Sequence, residues 1–432
     1  MAREVQENVA LSEDKAKLAA HNTIAFIGDG TFFNLGSAFI EANTVLPTFV
    51  STLTRSPLLI GLVSAIRGFG YFVPQIFVAG YIERLARKKP FMMGAGCVMR
   101  GAALGMALAA ILAARNPRLA LAVFFVCLVV LAFADGFGGL PWMDIVAKTI
   151  PAEKRSGLFG KMLGFGGVAA FLGGFLIQRL LGAGVRYPYN YALVMFLGFV
   201  FLSGSLVSMH FIRDPGGRMP DEIPTMRDYL RRLPSAWRQN ALFQQVIFTR
   251  LLVGAVYLAL PFFAIHAQRD LRFAPSLVGL FVSAQMVGCV GGGPLWGYLG
   301  DHHGARWILR LVTLLTLMTG VLALVARVAY FAGLVPLAYV IYFILYFCLG
   351  ASFGGTWIGF TNYILDIAPD EGRATLIGLC NTVSAPLALL TLVGGWFLGM
   401  TNFPWLFAVE SACVFASVLS AWRLPDSRAR RT

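Results

Sequence analysis

Two long stretches without a charged residue determine the class of fold. No Asp, Glu, Lys or Arg occurs from Val328 to Leu365, and none occurs from Ala374 to Val409. A helix crosses a bilayer with about 20 apolar residues, so each stretch is long enough for one or two crossings. The whole chain agrees, since 58% of its residues are hydrophobic, 13% are charged and the mean hydropathy is +0.72. Because lipid offers the backbone no hydrogen bonds, the crossings are predicted to be α-helices.

The hydropathy pattern predicts twelve crossings, six on each side of one polar connector. They fall at residues 22–50, 57–82, 91–114, 119–143, 156–182, 189–211, 242–268, 275–300, 306–330, 335–361, 373–400 and 403–422. The connector, residues 213–240, is interpreted as a cytoplasmic segment with a short amphipathic helix; a disordered basic linker is the alternative. The predicted fold class is an all-α membrane protein with domains at 1–212 and 241–432.

A repeat with an interval of 218 residues relates the two predicted domains. Pro57 returns as Pro275 (275 − 57), and Pro151 returns as Pro369 (369 − 151). An acidic residue follows the second helix of each half, at Glu83 and Asp301, with the same interval (301 − 83). Three patterns in one register indicate a duplicated unit, and hence two pseudo-symmetric six-helix bundles.

The positions of the charges predict the orientation in the membrane. The basic residues are concentrated in alternate loops, as in the cytoplasmic loops of multi-pass proteins. We therefore expect both termini in the cytoplasm, no cleavable signal peptide, and insertion in the inner membrane of a bacterium. The net charge of +14 is explained in this way and does not indicate nucleic-acid binding. The six cysteines lie in apolar runs without CxxC spacing, so neither a disulfide framework nor a metal site is expected.

The loop after the second helix of each half resembles the signature of the major facilitator superfamily of secondary transporters, G-x-x-x-D-[RK]-x-G-[RK]-[RK]. The first copy is Ala79, Glu83, Arg84, Ala86, Arg87 and Lys88, with alanine at both glycine positions. The second copy matches at Gly297, Asp301, Gly304 and Arg306, while His302 and Ala305 replace basic residues. The P-x-E-x-R element at Pro151 and Pro369 is also similar to that superfamily.

The resemblance implies a transporter whose two halves rock about a central site. Acidic and basic residues of these loops can form ion pairs that exist only while the cytoplasmic face is closed. The predicted cytoplasmic gate consists of Glu83, Arg84, Arg87, Glu153, Arg155, Asp301, Arg306, Glu371 and Arg373. The alternative interpretation is that these residues are solvated loop charges without a gating role.

The first predicted helix carries a polar stripe at alternating intervals of four and three residues. The stripe contains Gly30, Asn34, Ser37, Glu41, Thr44 and Thr48, with Asp29 beside it. Such a face is costly against lipid and is predicted to line an aqueous cavity. Asp29 and Glu41 are the candidates for proton coupling, because burial raises the pKa of a carboxyl toward neutrality.

Counting residues from the helix ends predicts partners for the other buried charges. Arg100 and Asp135 lie at nearly equal depth, as do Glu41 and Arg67. Arg250 in the seventh helix lies about as deep as Asp29. An unpaired charge at the bilayer centre costs at least about 3 kcal/mol, so each is expected to be paired or hydrated. Structural ion pairs are the competing interpretation for both equal-depth pairs.

Aromatic residues recur along one side of the tenth predicted helix, at Tyr339, Tyr342 and Tyr346. One interpretation places them in an apolar core. The other places them, with Trp142 of the fourth helix, on a cavity that favours an amphipathic or aromatic substrate.

The motifs limit the function classes. No G-x-x-x-x-G-K-[ST] sequence occurs, so an ion or substrate gradient is expected to drive transport. The H-E-x-x-H motif and clustered histidine ligands are absent, and neither an enzyme nor a cofactor is expected. The first hypothesis is proton-linked export of amphipathic small molecules by a monomer surrounded by lipid. The alternatives are uptake of a polar or anionic metabolite through Arg67, Arg100 or Arg250, and a receptor or lipid scramblase on the same fold.

Overall fold

The described part of the chain is built from helices. The computed structural model describes residues 2–83, 85–182, 184–216, 241–367, 380 and 383–426, with the main chain alone at 2–15, 76–80, 83, 152, 153, 156 and 365. The helices of the first half are α1 (Ala2–Phe39), α2 (Val45–Leu53), α3 (Pro57–Glu83), α4 (Lys89–Leu112), α5 (Pro117–Thr149), α6 (Ala152–Gly182) and α7 (Tyr189–Phe211). The helices of the second half are α8 (Ala241–Val253), α9 (Val256–Ala259), α10 (Phe262–Arg269), α11 (Leu277–His303), α12 (Ala305–Phe331), α13 (Val335–Ile367), the 3₁₀-helix η1 (Ala385–Leu389), α14 (Leu390–Met400) and α15 (Phe403–Trp422).

Within these residues, ten helical spans are long and apolar enough to cross a membrane. They coincide with ten of the twelve predicted crossings, and α8 to α10 together make one of them, Ala241–Arg269. The other two predicted crossings correspond to α1 with α2, and to the shorter apolar segment Ala385–Met400. The predicted all-α membrane fold is therefore confirmed. The amphipathic helix predicted for the connector lies in a segment, residues 217–240, outside the described part.

Two of the predicted crossings that are described at every residue are not single helices. The first was predicted as one helix over 22–50, but α1 ends at Phe39 and α2 begins at Val45. The polar stripe therefore does not continue along one helix face beyond Ser37, and that prediction was wrong. The seventh crossing is interrupted between α8 and α9 at Gly254, and between α9 and α10 at Pro261. Proline supplies no backbone N–H and glycine has little helix preference, which explains both breaks.

The helix boundaries follow the repeat that the sequence predicts. Helix α5 begins at Pro117 and α13 at Val335, an interval of 218 (335 − 117). They end at Thr149 and Ile367, again with 218 between them (367 − 149). The packing repeats as well, because α4 contacts α5 and α7 in the first half, and α12 contacts α13 and α15 in the second.

Local sequence signals define several helix ends. The side chain of Asn116 accepts a hydrogen bond from Leu119 N at 3.1 Å and caps α5, and Asn402 does the same for α15 with Trp405 N at 3.3 Å. Gly304 separates α11 from α12 with φ of 85°, a left-handed backbone that favours glycine. The glycine of the second loop signature is thus needed for the turn itself.

The chain forms two compact units that alternate along the sequence. Unit 1 contains the described residues of Met1–Ile40, Gly70–Gly173 and Val185–Ile223; unit 2 contains those of Glu41–Phe69, Gly174–Gly184 and Pro224–Thr432. Unit 2 therefore includes α2, part of α3 and the end of α6 as well as the second half of the chain. The predicted division at 212 and 241 follows the sequence repeat and stays a prediction.

Candidate functional site

A buried carboxylate on α1 is joined by hydrogen bonds to two other helices of unit 1, α5 and α7. Asp29 is 3% exposed. Ser205 Oγ on α7 donates a hydrogen bond to its Oδ1 at 2.6 Å. Trp142 Nε1 on α5 donates to its Oδ2 at 2.8 Å. Both carboxylate oxygens are thereby satisfied, as a buried acidic group requires.

A buried arginine completes this site through the same serine. Arg100 on α4 donates from Nη2 to Ser205 Oγ at 2.8 Å and from Nε to Leu202 O at 2.9 Å. The Ser205 hydroxyl therefore accepts from the arginine and donates to the Asp29 carboxylate. We call Asp29, Trp142, Arg100 and Ser205 the carboxylate site. Its four residues come from α1, α5, α4 and α7.

Small residues make room for the polar side chains beside this site. A Cβ at Gly96 would meet the guanidinium of Arg100, whose Nη1 donates to the Gly96 carbonyl at 3.2 Å. A Cβ at Gly166 would meet the side chain of Asn34. The Asn34 amide itself donates to Gly30 O at 2.7 Å, so its side chain is held by its own helix.

The charged residues that were predicted to lie at similar depths in the membrane have different surroundings in the structure. Arg100 reaches Asp29 through Ser205, whereas its pairing with Asp135 stays a prediction. Arg67 on α3 and Asp135 on α5 are both half-buried. Arg250 on α8 lies over the ring of Phe360, with its guanidinium carbon 5.0 Å from the ring centre.

Glu41 lies in the turn between α1 and α2 and belongs to unit 2. Its Oε2 accepts from Asn43 N at 2.6 Å and from Thr44 Oγ1 at 2.8 Å. Its Oε1 accepts from the Asn43 side-chain amide at 2.9 Å. The carboxylate thus stabilises the turn that separates the two helices. Its predicted pairing with Arg67 and its role in proton coupling stay predictions.

The tyrosines of α13 lie among aromatic rings in unit 2. Tyr342 and Tyr346 are fully buried. The ring of Tyr346 stacks on Phe281, with centroids 4.6 Å apart and an angle of 7° between the planes. The half-buried Tyr339 ring lies 4.3 Å from Phe273. These contacts are those expected from the core interpretation.

The predicted gate residues are only partly described. Arg84, Glu371 and Arg373 lie outside the described residues, and for Glu83 and Glu153 only the main chain is described. Arg155 donates to Ile150 O at 3.0 Å and to Ala147 O at 2.6 Å, so it caps the end of α5. Arg306 forms an ion pair with Asp426 at 3.2 Å. Arg87 and Asp301 are exposed. The gate stays a prediction.

Two aspartates of unit 1 were not identified in the sequence analysis. Both contact the lysines at the start of α4. Asp144 contacts Lys88 Nζ at 2.8 Å and Lys148 Nζ at 2.6 Å. Asp214 accepts from the backbone N–H groups of Lys88 and Lys89, at 2.7 and 3.0 Å. The spacing of four residues between Asp144 and Lys148 is a sequence signal for the first contact. No such signal exists for Asp214.

One sequence pattern in α13 resembles the esterase motif G-x-S-x-G, at Gly350 to Gly354. That motif requires a sharp turn between a strand and a helix that exposes the serine hydroxyl. Ser352 instead lies within the helix, is 3% exposed and donates to Leu349 O at 2.9 Å. The match therefore carries no catalytic meaning.

Comparisons with known proteins establish the family. The family model described as Major Facilitator Superfamily matches residues 30–265 and 247–432. The chain belongs to the Major Facilitator Superfamily, whose members are membrane transporters and not enzymes. It is thus a multi-pass integral membrane protein, and the resemblance found in its loop signatures is confirmed. A comparison with curated protein sequences finds no match.

Solved structures share the fold at low sequence identity. A D-xylose–proton symporter has a TM-score of 0.68 and 14% identity, covering 94% of this chain and 98% of its own. A variant of the peptide transporter POT has a TM-score of 0.69 and 14% identity, covering 95% and 98%. A variant of the nucleoside transporter NupG has a TM-score of 0.67 and 13% identity, covering 93% and 99%. At these identities the similarity is one of fold.

Proposed function

We propose that this protein is a secondary active transporter that couples proton movement to the export of amphipathic small molecules, with Asp29 as the proton-binding carboxylate. The observation that supports the proposal is the carboxylate site. A buried acidic group on the first helix is connected to three other helices, so a change in its charge acts on all of them.

The hydrogen bonds of Asp29 depend on its protonation state. Trp142 Nε1 can only donate, so a proton on Oδ2 would weaken that bond, because a protonated oxygen is a poorer acceptor. A proton on Oδ1 would require the Ser205 hydroxyl to turn and accept. In either case the neutral carboxyl no longer balances the charge of Arg100. Binding of one proton therefore alters contacts among α1, α4, α5 and α7, which is what coupling requires.

The surroundings of Trp142 support the proposed substrate class. Its ring is half-buried and lies 5.5 Å from Phe26 and 6.2 Å from Phe159 between centroids. Aromatic faces favour apolar and aromatic groups. The charge of Asp29 beside these rings would favour a substrate that also carries a cationic group.

The test is dye transport by the purified protein in proteoliposomes, with and without a pH gradient. We expect the gradient to accelerate wild-type transport. Asp29→Asn should abolish this acceleration while retaining exchange of dye for dye. Asp214→Asn is the matched control, because it neutralises another aspartate of unit 1 outside the carboxylate site, and its gradient-driven rate should persist. Gradient-driven transport by Asp29→Asn at the wild-type rate would refute the role of Asp29.

Uptake of an anionic metabolite is the second candidate. It is favoured by Arg250, whose half-buried guanidinium stacks on Phe360 and can present N–H donors to an anion. Arg100 is less suited, because its donors bind Leu202 O, Gly96 O and Ser205. If this candidate is correct, Arg250→Gln will weaken uptake of anions and leave uncharged solutes unaffected.

A further inference from the structure

Unit 2 contains a buried histidine that the proposed function does not use. His266 lies near the end of α10 and is 0% exposed. Its Nδ1 forms a short hydrogen bond with the hydroxyl of Tyr342 on α13. Its Nε2 lies 3.1 Å from Asp270 Oδ2, and that oxygen accepts from Arg327 Nε at 2.7 Å. An arginine, an aspartate, a histidine and a tyrosine thus form one continuous cluster.

The Tyr342 hydroxyl can serve as the hydrogen-bond partner of Nδ1 in both charge states of the imidazole ring. In the neutral ring, Tyr342 donates to Nδ1 and the proton on Nε2 faces Asp270. In the charged ring, Nδ1 carries a second proton and donates to the Tyr342 oxygen. The tyrosine hydroxyl then turns to the carbonyl of Phe263, which lies 3.3 Å away. The tyrosine can reverse its role because a second acceptor is within reach.

The contact between His266 and Asp270 favours the charged ring. The Nε2–H bond does not point along the line to the carboxylate, so the contact is an electrostatic one at 3.1 Å. Its strength therefore depends on the charge of the imidazole. His266 beside it is the main reason that the pKa of Asp270 lies below the usual range; partial burial opposes this, and Arg327 adds to it. Asp270 is therefore an anion at neutral pH.

The elements packed against His266 carry groups that act on the charge of its ring in opposite directions. On α15, the ring centroids of Phe403 and Phe407 each lie 5.1 Å from that of the imidazole, and neither ring carries a charge. Arg327 on α12 opposes a positive ring, as does burial. Arg269 donates to Ser51 O and Thr54 O, and the Tyr346 ring stacks on Phe281. Glu410 Oε2 accepts from Ser411, whereas Glu410 Oε1 and the Tyr346 hydroxyl have no hydrogen-bond partner among the described residues.

We propose that His266 is a second proton-binding site of this protein, with Asp270 as its counter-ion and Tyr342 as its reversible hydrogen-bond partner. The site lies within unit 2, whereas Asp29 lies within unit 1. The inference does not depend on the role of Asp29. The bound proton would change the hydrogen bonds that join α10 to α13.

The direct test is histidine-selective ¹⁵N NMR of the full-length protein in detergent between pH 5 and 9. We expect a ring signal that changes with pH and that is lost in His266→Gln. Asp270→Asn should move the midpoint of that change by about 1 to 3 pH units, toward less protonation at a given pH, because an adjacent anion is removed. His210→Gln, a change on α7 in unit 1, is the control and should leave the signal in place.

The variant Asp29→Asn distinguishes the His266 site from Asp29, the proposed coupling group. Asp29→Asn should leave the His266 signal and its midpoint unchanged, even if it abolishes gradient-driven transport. Tyr342→Phe keeps the aromatic ring but removes the hydroxyl that bonds to His266 Nδ1. It should therefore move the midpoint pH of the His266 signal. A His266 signal that is constant from pH 5 to 9, or a midpoint that is the same in Asp270→Asn, would overturn the proposal.

Discussion

Ser205 shows how a single hydroxyl makes two buried charges compatible with a membrane interior. An isolated charge among apolar helices is costly, and a buried ion pair is stable only when its remaining donors and acceptors are satisfied. The serine accepts from Arg100 and donates to Asp29, so it completes the hydrogen bonding of both. The charges need not touch directly. This arrangement also makes the pair sensitive to a proton on either carboxylate oxygen.

Replacement of Ser205 by alanine should destabilise unit 1. It leaves a carboxylate oxygen of Asp29 and an N–H of Arg100 without this partner, and unsatisfied buried groups cost about 1 to 3 kcal/mol each. The melting temperature in detergent, followed by tryptophan fluorescence, should fall clearly. Ser203→Ala is the matched control on the same helix, because Ser203 donates only within α7, to Phe199 O at 2.7 Å. Equal melting temperatures for the two variants would contradict the proposed role of Ser205 in joining Arg100 to Asp29.

The lowered pKa of Asp270 predicts that the stability of the folded protein depends on pH in the acidic range. Its pKa is lowered in the folded protein, mainly by His266 and also by Arg327, so ionisation of its carboxyl favours the folded state. That stabilisation is present above the ordinary aspartate pKa of about 3.9 and is lost as pH falls through the lower folded value. The difference in melting temperature between wild type and Asp270→Asn should therefore shrink as pH is lowered from 6 toward 3. A constant difference over this range would contradict the prediction.

At the scale of elements, short turns decide where predicted helices break. The first crossing is interrupted because Glu41 accepts three hydrogen bonds from Asn43 and Thr44, which competes with helix formation. The end of α2 is fixed by Arg269, which donates to Ser51 O at 2.9 Å and to Thr54 O at 3.0 Å. A basic side chain at the last carbonyls of a helix is favourable there.

Gly304 offers a test of the turn between α11 and α12. Gly304→Ala places a side chain on a backbone with φ of 85° and ψ of 165°, a region essentially restricted to glycine, and should destabilise the protein by about 1 to 3 kcal/mol. Gly297→Ala is the control, since a Cβ there would meet no atom within 4 Å. It replaces a helical glycine and should stabilise by about 0.5 to 1 kcal/mol. Thermal melting of the two variants should therefore shift in opposite directions, and a parallel shift would contradict the role of Gly304.

At the scale of the whole molecule, the repeat is visible in the helices as well as in the loop motifs. Helices α5 and α13 have the same length of 33 residues and the same offset as the loop signatures. Their neighbours correspond too, because α4 packs on α5 and α12 packs on α13. A duplicated six-helix unit is the economical explanation.

The predicted orientation can be tested with alkaline phosphatase fusions in a bacterial host. Both termini are expected in the cytoplasm, because the basic residues of the loops favour that side. A fusion after Arg115, in a loop predicted to be external, should be active. Fusions after Lys88 and after Thr432 should be inactive. Activity after Lys88 with none after Arg115 would reverse the orientation.

The sequence alone determined which segments cross the membrane, the register of the repeat and the family, since hydropathy, spacing and loop motifs are properties of contiguous residues. It also predicted the depth of each buried charge, because a helix rises about 1.5 Å per residue, and these depths stay predictions. It did not determine how each helix is rotated about its axis or which neighbour it faces. The connection of Arg100 to Asp29 through Ser205, and of His266 to Tyr342 and Asp270, was decided only by that packing.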